Sequence, residues 1–173
     1  MPIYALGDLE PEIHPDAYVH PDAVIIGRVV IGERSSIWPA AVLRGDTESG
    51  IRIGARTSIQ DGSVIHTTIA QPTTVGDDCT IGHLVHLEGC VIEDRCLIGS
   101  GSVVLHHARV ETGGLVAAAA LVPNGMVVPK GAMAIGVPAR IKPGAVDPDM
   151  IARAGDAYVR NCERYRSGLR RLD

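Results

Sequence analysis

Two histidines and a glutamate in the middle of the chain have the side-chain types of a metal-ligand set: His66, His83 and Glu88. Zinc accepts imidazole nitrogen and carboxylate oxygen in tetrahedral geometry, and three such ligands leave a fourth position open for a reacting molecule. Spacing alone fits histidines scattered over a surface equally well. The elements that position these side chains must therefore decide between the two interpretations.

A repeat of six residues sets those elements. Aliphatic residues recur at every sixth position in four runs, 13–43, 53–65, 75–87 and 92–128, and a short side chain follows most of them four positions later. An α-helix cannot keep this phase, because its period is 3.6 residues. Short strands joined by corners and stacked coil on coil can keep it. The sequence therefore predicts an all-β solenoid.

Composition agrees with a narrow interior and a soluble role. The chain is 46% hydrophobic but only 3% aromatic, and it has no Phe. Its formal net charge of −4 provides no basic face for nucleic acid or for an anionic membrane. The N-terminal segment lacks the pattern of a signal peptide and no apolar run is long enough to span a bilayer, which favours a cytoplasmic location. Four cysteines without ligand-like spacing are interpreted as small buried hydrophobic residues.

The end of the chain changes character after residue 146. Asp147 is a candidate N-cap, Pro148 fits the first turn, and apolar residues then recur at helical spacing. These residues are Ile151, Ala154, Tyr158, Cys162, Tyr165 and Leu169. We expect a solenoid over 1–146 and a C-terminal α-helix within 147–173 that packs on it. The arginines of this segment, Arg160 among them, are expected to form a solvated face.

The motifs IGERSS, IGARTS, VGDDCT and IGHLVH resemble the hexapeptide-repeat family. That resemblance implies a left-handed parallel β-helix with three hexapeptides per coil. On such a coil His66 and Glu88 stack on one face, one strand spacing of about 4.8 Å apart, with Arg44 below them. His83 falls on the third face, above Asp61. Each subunit would then carry half-sites on separate faces, which a neighbour in a cyclic trimer could complete.

The segments VLRGD (42–46), IQDGSVIH (59–66) and IGHLVHLEGC (81–90) resemble the γ-class carbonic anhydrase family over nearly the whole solenoid. By that resemblance His66 and His83 match two metal-binding histidines contributed by adjacent subunits. Arg44 and Asp46 match a pair that links protomers and orders the site. Gln60 matches a residue that hydrogen-bonds the metal-bound hydroxide or bicarbonate, and Asp61 matches its acidic neighbour.

The sequence departs from this family at the third histidine, where Glu88 stands. Glu88 is the favoured third ligand, and His86 is the substitute, although the coil frame puts His86 at a corner away from His66. A pairing of Glu88 with Arg44 in an abandoned site is the alternative. His106 and His107 have no match in the family and are expected to be surface residues.

The function that the resemblance implies is reversible hydration of CO₂ to bicarbonate by a homotrimer that binds Zn²⁺, or Fe²⁺ or Co²⁺. A bound metal of this kind lowers the pKa of its water toward about 7. Two alternatives stay open. One is a hexapeptide acyltransferase that uses coenzyme A, since GVPAR (136–140) resembles a segment common in such enzymes and His106 or His107 could be the base. The other is a non-catalytic, metal-binding trimer.

Overall fold

The computed structural model describes residues 2–173, which form a parallel β-helix followed by one α-helix. Seven coils of three short strands each stack along the axis. In chain order the strands are β1 (Ile3–Tyr4), β2 (Glu12–Ile13), β3 (Tyr18–Val19), β4 (Val24–Gly27), β5 (Val29–Ile31), β6 (Ser36–Ile37), β7 (Val42–Gly45), β8 (Ile51–Ile53), β9 (Ser58–Ile59), β10 (Val64–His66), β11 (Thr73–Val75), β12 (Thr80–Ile81), β13 (His86–Glu88), β14 (Val91–Ile92), β15 (Leu97–Ile98), β16 (Val103–Val104), β17 (Arg109–Val110), β18 (Leu115–Val116), β19 (Leu121–Val122), β20 (Val127–Val128), β21 (Met133–Ile135) and β22 (Arg140–Lys142).

Three sheets form the walls of the prism. The first sheet runs β1-β4-β7-β10-β13-β16-β19, the second runs β2-β5-β8-β11-β14-β17-β20, and the third runs β3-β6-β9-β12-β15-β18-β21. All neighbours within these three series are parallel, and β22 turns back to pair antiparallel with β21. The all-β solenoid predicted from the repeat is confirmed.

The core is a set of aliphatic stacks, one behind each wall. Consecutive coils bring their inward residues into register, so that Leu43, Ile65 and Leu87 lie directly above one another and are fully buried. Each buried methylene contributes about 0.8 kcal/mol, and this fully buried stack continues from Ile25 in the second coil to Val122 in the seventh. Cys79, Cys90, Cys96 and Cys162 are free and buried, which confirms their interpretation as small hydrophobic residues.

The C-terminal helix, α1 (Pro148–Gly168), begins at the predicted N-cap, since the Asp147 carboxylate accepts a hydrogen bond from the Asp149 N–H at 3.0 Å. It packs on strands β6, β9 and β12 of the third sheet. Leu169 is the exception to the predicted apolar face, because the helix ends before it and its side chain is exposed. No helix within residues 2–173 is both long and apolar enough to cross a membrane.

An aromatic cluster fixes α1 to the solenoid. The Trp38 ring lies between helix and third sheet, with its centroid 4.9 Å from that of Tyr165 and 5.9 Å from that of Tyr158. Tyr18 packs on the solenoid side, 5.6 Å from Trp38. Four of the five aromatic residues of this chain are thus gathered where the helix docks, Tyr4 being exposed on β1, while the interior of the prism is aliphatic.

Candidate metal half-sites

A ladder of charged and imidazole side chains runs along the outside of the first sheet. Strands β7, β10 and β13 pair in parallel, with Arg44 opposite His66 and His66 opposite Glu88. Leu43, Ile65 and Leu87 point inward, so the residue after each points outward, because alternate residues of a strand face opposite sides. The predicted stacking of Arg44, His66 and Glu88 on one face is confirmed.

The His66 ring is held by two carboxylates. Its Nδ1 lies 2.8 Å from Glu88 Oε1 and its Nε2 lies 2.9 Å from Asp46 Oδ1. Arg44 donates to the other oxygen of Asp46. The His66 side chain is only 19% exposed, so these contacts are partly shielded from water. Coordination of a metal by either ring nitrogen would require one of the two carboxylates to move aside.

Both carboxylates are biased toward the ionised form. Burial raises the pKa of Glu88, but hydrogen bonds from His66 and His86 outweigh it and hold that pKa below its ordinary value. Burial likewise raises the pKa of Asp46, and the hydrogen bond from His66 together with the charge of Arg44 lowers it overall. Ionised carboxylates are the form that binds a cation.

The structure corrects the position expected for His86. His86 is the first residue of β13, paired with Val64, and its Nε2 lies 3.3 Å from Glu88 Oε2. His86 precedes the inward-pointing Leu87 and Glu88 follows it. Because alternate residues of a strand face opposite sides, His86 and Glu88 both point outward from the first sheet. His86 therefore lies beside Glu88 and not at a corner away from it. Glu88 is in contact with histidines, whereas the Arg44 guanidinium is bonded to Asp46.

His106, expected to be a surface residue without a role, also approaches Glu88. Its Nε2 lies 3.5 Å from Glu88 Oε2 and is buried, without a well-formed hydrogen bond. The ring leans over Gly89, where a Cβ would come within 3.2 Å of the His106 Cδ2 atom. A glycine stacked one coil below a histidine was the signal in the sequence that could have indicated this contact.

The second half-site lies at the corner between the third and first sheets. His83 follows β12 and Asp61 follows β9, and the His83 Nδ1 lies 3.0 Å from Asp61 Oδ2. Both side chains are about half exposed. This predicted pair is therefore brought together, on a different wall from His66 and Glu88. Gln60, next to Asp61, is buried.

The C-terminal helix contributes a residue that the sequence analysis assigned only to packing. The Tyr158 hydroxyl lies beside Gln60 and near Asp61. Burial raises the pKa of Tyr158, and the negative charge of Asp61 raises it further. The helix thus lies next to the buried Gln60, whereas Asp61 and His83 stay about half exposed.

The donor chemistry fits a divalent metal. A histidine that ligates a metal commonly donates its other N–H to a carboxylate, which is the arrangement of His83 with Asp61 and leaves Nε2 free. His66 and Glu88 offer the nitrogen and oxygen donors that zinc accepts. Within residues 2–173 of one chain, no group of three or more His, Cys, Asp or Glu side chains is arranged to hold a metal ion.

Comparison with known proteins supplies the family. A family profile described as bacterial transferase hexapeptide (six repeats) matches residues 10–45 and 72–106. Gamma carbonic anhydrase 1 of Arabidopsis thaliana, a mitochondrial protein, is 42% identical over 139 residues, which are 77% of this chain and 50% of that protein. Protein YrdA of Escherichia coli is 40% identical over 140 residues, 77% of this chain and 76% of that protein. The chain belongs to the γ-class carbonic anhydrase-like family.

This γ-class carbonic anhydrase-like chain also shares its fold with solved structures. A crystal structure of a proposed acetyltransferase from Bacillus cereus superposes with a TM-score of 0.92 at 35% identity, covering 96% of this chain and 98% of that one. The left-handed β-helix of hexapeptide repeats is thereby confirmed. The chain spans about half the length of the Arabidopsis relatives that it matches. Its family implies a metal cofactor in general.

Proposed function

We propose that this chain forms a homotrimer that catalyses reversible hydration of CO₂ to bicarbonate at metal sites shared between subunits. The observation that carries the proposal is the division of the candidate ligands between two walls. His66 and Glu88 lie on the first sheet, and His83 lies at the corner of the third. A neighbour that offers its third-sheet corner to this first sheet would complete three ligands, and a cyclic arrangement repeats that contact three times.

Each residue at the shared site would have a definite task. His66 and Glu88 of one subunit and His83 of the next would hold Zn²⁺, with Fe²⁺ or Co²⁺ as alternatives. When bound, such an ion supplies Lewis-acid activation of water near neutral pH. Asp61 holds the His83 ring by its Nδ1. The buried amide of Gln60 would orient the attacking oxygen by a hydrogen bond.

The second carboxylate at His66 has a positioning role in this proposal. Asp46 is held by Arg44 and contacts His66 Nε2. The pair would keep the imidazole in place before a metal enters, and Arg44, whose side chain is 45% exposed, would remain able to reach a neighbouring subunit.

Exposed apolar side chains beside both half-sites support association. Leu84 follows His83 and is 70% exposed, and Ile69 lies in the open groove beside His66 and is 89% exposed. Large apolar side chains exposed at a polar site are typical of surfaces that a partner covers. A trimer would bury both, one on each side of the shared site.

Elemental analysis of the purified protein, together with its mass in solution and stopped-flow CO₂ hydration, tests the proposal. We expect a trimer that contains about one zinc, iron or cobalt ion per subunit and that hydrates CO₂. A trimer that holds metal but shows no hydration under any metal load would be the non-catalytic, metal-binding alternative. A monomer, or a trimer that cannot be loaded with metal, would refute the shared site.

A hexapeptide acyltransferase that uses coenzyme A is the second candidate, favoured by the description of the Bacillus cereus neighbour. The His106 Nε2 is buried against Glu88, so it is poorly placed to reach a substrate in that chemistry. Calorimetric titration with acetyl coenzyme A separates the two functions. Tight binding by metal-free protein would favour the acyltransferase, and an absence of binding would favour the hydratase.

A further inference from the structure

A cavity of about 380 Å³ lies between α1 and the corner that joins the second and third sheets, away from the half-sites. Its solenoid side is a column of corner residues from successive coils: Arg34, Arg56, Asp78 and Arg95. All four have a left-handed backbone, with φ between 52° and 56°. Because the coils stack at about 4.8 Å, this shared conformation lines their side chains up along one edge.

Two of the arginines in this lining are already neutralised. Arg56 forms a two-pronged ion pair with Asp78, at 2.6 and 2.8 Å. Arg34 pairs with Glu163 of α1 at 3.0 Å. Such pairs hold their guanidinium groups in fixed positions and leave them little attraction for a further anion.

Arg95 and Arg160 differ from them. Arg95 projects from the column and Arg160 projects from α1 into the same cavity. Among residues 2–173, neither has a carboxylate oxygen within 4.0 Å. Asp156, the other carboxylate of the lining, lies one helical turn before Arg160. Arg160 is exposed, as expected from the sequence, and it also lines this cavity.

The helix adds an apolar wall to this cavity. It lies along the cavity from Pro148 to Arg160, and Ile151 and Val159 line that side. The cavity therefore combines two guanidinium groups that lack an ion pair with an apolar surface.

We infer that this cavity binds a phosphoryl group, with Arg95 and Arg160 on its oxygens and any organic part of the ligand on Ile151 and Val159. Each guanidinium fork can donate two parallel hydrogen bonds to a phosphate monoester, whose three terminal oxygens offer more acceptor sites and more negative charge than the two oxygens of one carboxylate. The site is separate from the proposed metal centre, and this inference goes beyond the proposed function.

Calorimetric titration of the full chain at constant ionic strength, with chloride as the compensating anion, tests the inference. Inorganic phosphate and phenyl phosphate are the two probes. We expect saturable binding of one phosphoryl group per subunit, and about tenfold weaker binding after either Arg95→Gln or Arg160→Gln. Arg95→Lys, which keeps the charge but loses the fork, is expected to fall between wild type and Arg95→Gln.

The controls separate a built site from general charge attraction. Arg170→Gln makes the same change of charge on an exposed arginine after the helix, outside this cavity, and should leave the affinity unchanged. Tighter binding of phenyl phosphate than of phosphate identifies an organic monoester as the natural ligand, and equal binding identifies free phosphate; both outcomes support the site. Lack of saturable binding of either probe, or an equal loss in Arg170→Gln, overturns it. Metal content and CO₂ hydration of Arg95→Gln should match wild type, so the inference and the proposed function can fail separately.

Discussion

His66 and His83 lie on different walls of one prism, and carboxylates hold their rings in different ways. His66 is mostly buried and has a carboxylate on each ring nitrogen, whereas His83 is half exposed and has one carboxylate, on Nδ1. The first ring is fixed, and one of its contacts must open before it can bind a metal. The second ring is oriented and already has a free nitrogen. In the proposed shared site, the His66 half would supply a fixed ring and a carboxylate, and the His83 half would supply a free ring nitrogen.

Mixing variants of the two half-sites is the most direct test of whether they belong to one shared site. We expect His66→Ala and His83→Ala trimers each to lose nearly all bound metal. In trimers assembled from equal amounts of both variants, about one quarter of the interfaces pair an intact His66 with an intact His83, so metal content should recover to about that fraction.

The matched control for the mixing experiment uses two variants of the same wall. His66→Ala mixed with Glu88→Ala cannot build an intact first-sheet half in any subunit, and it should recover no metal beyond its parents. Equal recovery in both mixtures, measured by elemental analysis, would contradict a site shared between the two walls.

Glu88 lies in the half-site of His66 and is the residue that stands where the family has its third histidine. Its variants therefore test what this half-site contributes to metal binding. We expect Glu88→Ala to weaken metal binding tenfold or more, roughly as loss of a supporting or direct ligand does. Glu88→His should retain metal and move the pH–rate profile of CO₂ hydration to lower pH, since a neutral imidazole leaves more positive charge on the cation than a carboxylate does. Unchanged metal content in Glu88→Ala, with Glu48→Ala as the exposed control, would remove Glu88 from the coordination shell.

The two histidines that contact Glu88 Oε2 should matter less than Glu88 itself. His86→Ala and His106→Ala are each expected to weaken metal binding by about threefold to tenfold, because they hold the carboxylate and do not replace it. The effect should disappear in a Glu88→Ala background, which a double-mutant cycle measures. His107→Ala, on the exposed neighbour of His106, is the control. An undiminished effect in that background would show that His86 acts independently of Glu88.

The smallest expected effect is on acid stability of the metal-free protein. The folded-state pKa of Glu88 is below its ordinary value of 4.5, so its stabilising contribution is fully present above pH 4.5 and is lost as pH falls through the folded-state pKa. The difference in thermal midpoint between wild type and Glu88→Gln should therefore shrink as the pH falls below 4.5. Glu12→Gln, on an exposed edge strand, should show no such crossover; a difference for Glu88→Gln that is independent of pH would exclude the ionised contact.

Once the resemblance to the hexapeptide-repeat family implied three repeats per coil, counting residues along the repeat was enough to predict the ladder of Arg44, His66 and Glu88 and the stacking of His83 above Asp61. Each depends only on which inward residue it follows, and the stacking of coils fixes that relation. The position predicted for His86 was wrong. The prediction placed the residue before an inward position at a corner, but the alternation of side chains along a strand puts that residue on the outer face.

Contacts that depend on packing between elements could not be predicted in this way. His106 reaches Glu88 because Gly89 leaves room beneath its ring, and α1 brings Tyr158 to Gln60. The repeat places Gly89 one coil below His106, but it contains no information on the direction of the His106 ring or on where α1 docks. The arginine cavity has the same origin, because one of its unpaired arginines comes from the solenoid and the other from the helix.

The aromatic cluster beneath α1 also gives the protein an internal spectroscopic probe. Trp38 is the only tryptophan of the chain, it is buried, and its indole N–H donates to the hydroxyls of Ser36 and Ser58 at 3.0 and 2.9 Å. Tyr165 and Tyr158 of the helix cover the ring. Release of α1 would expose the indole to water and shift its emission to longer wavelength without unfolding a single coil. Intrinsic fluorescence therefore separates undocking of the helix from melting of the solenoid, which far-ultraviolet circular dichroism follows.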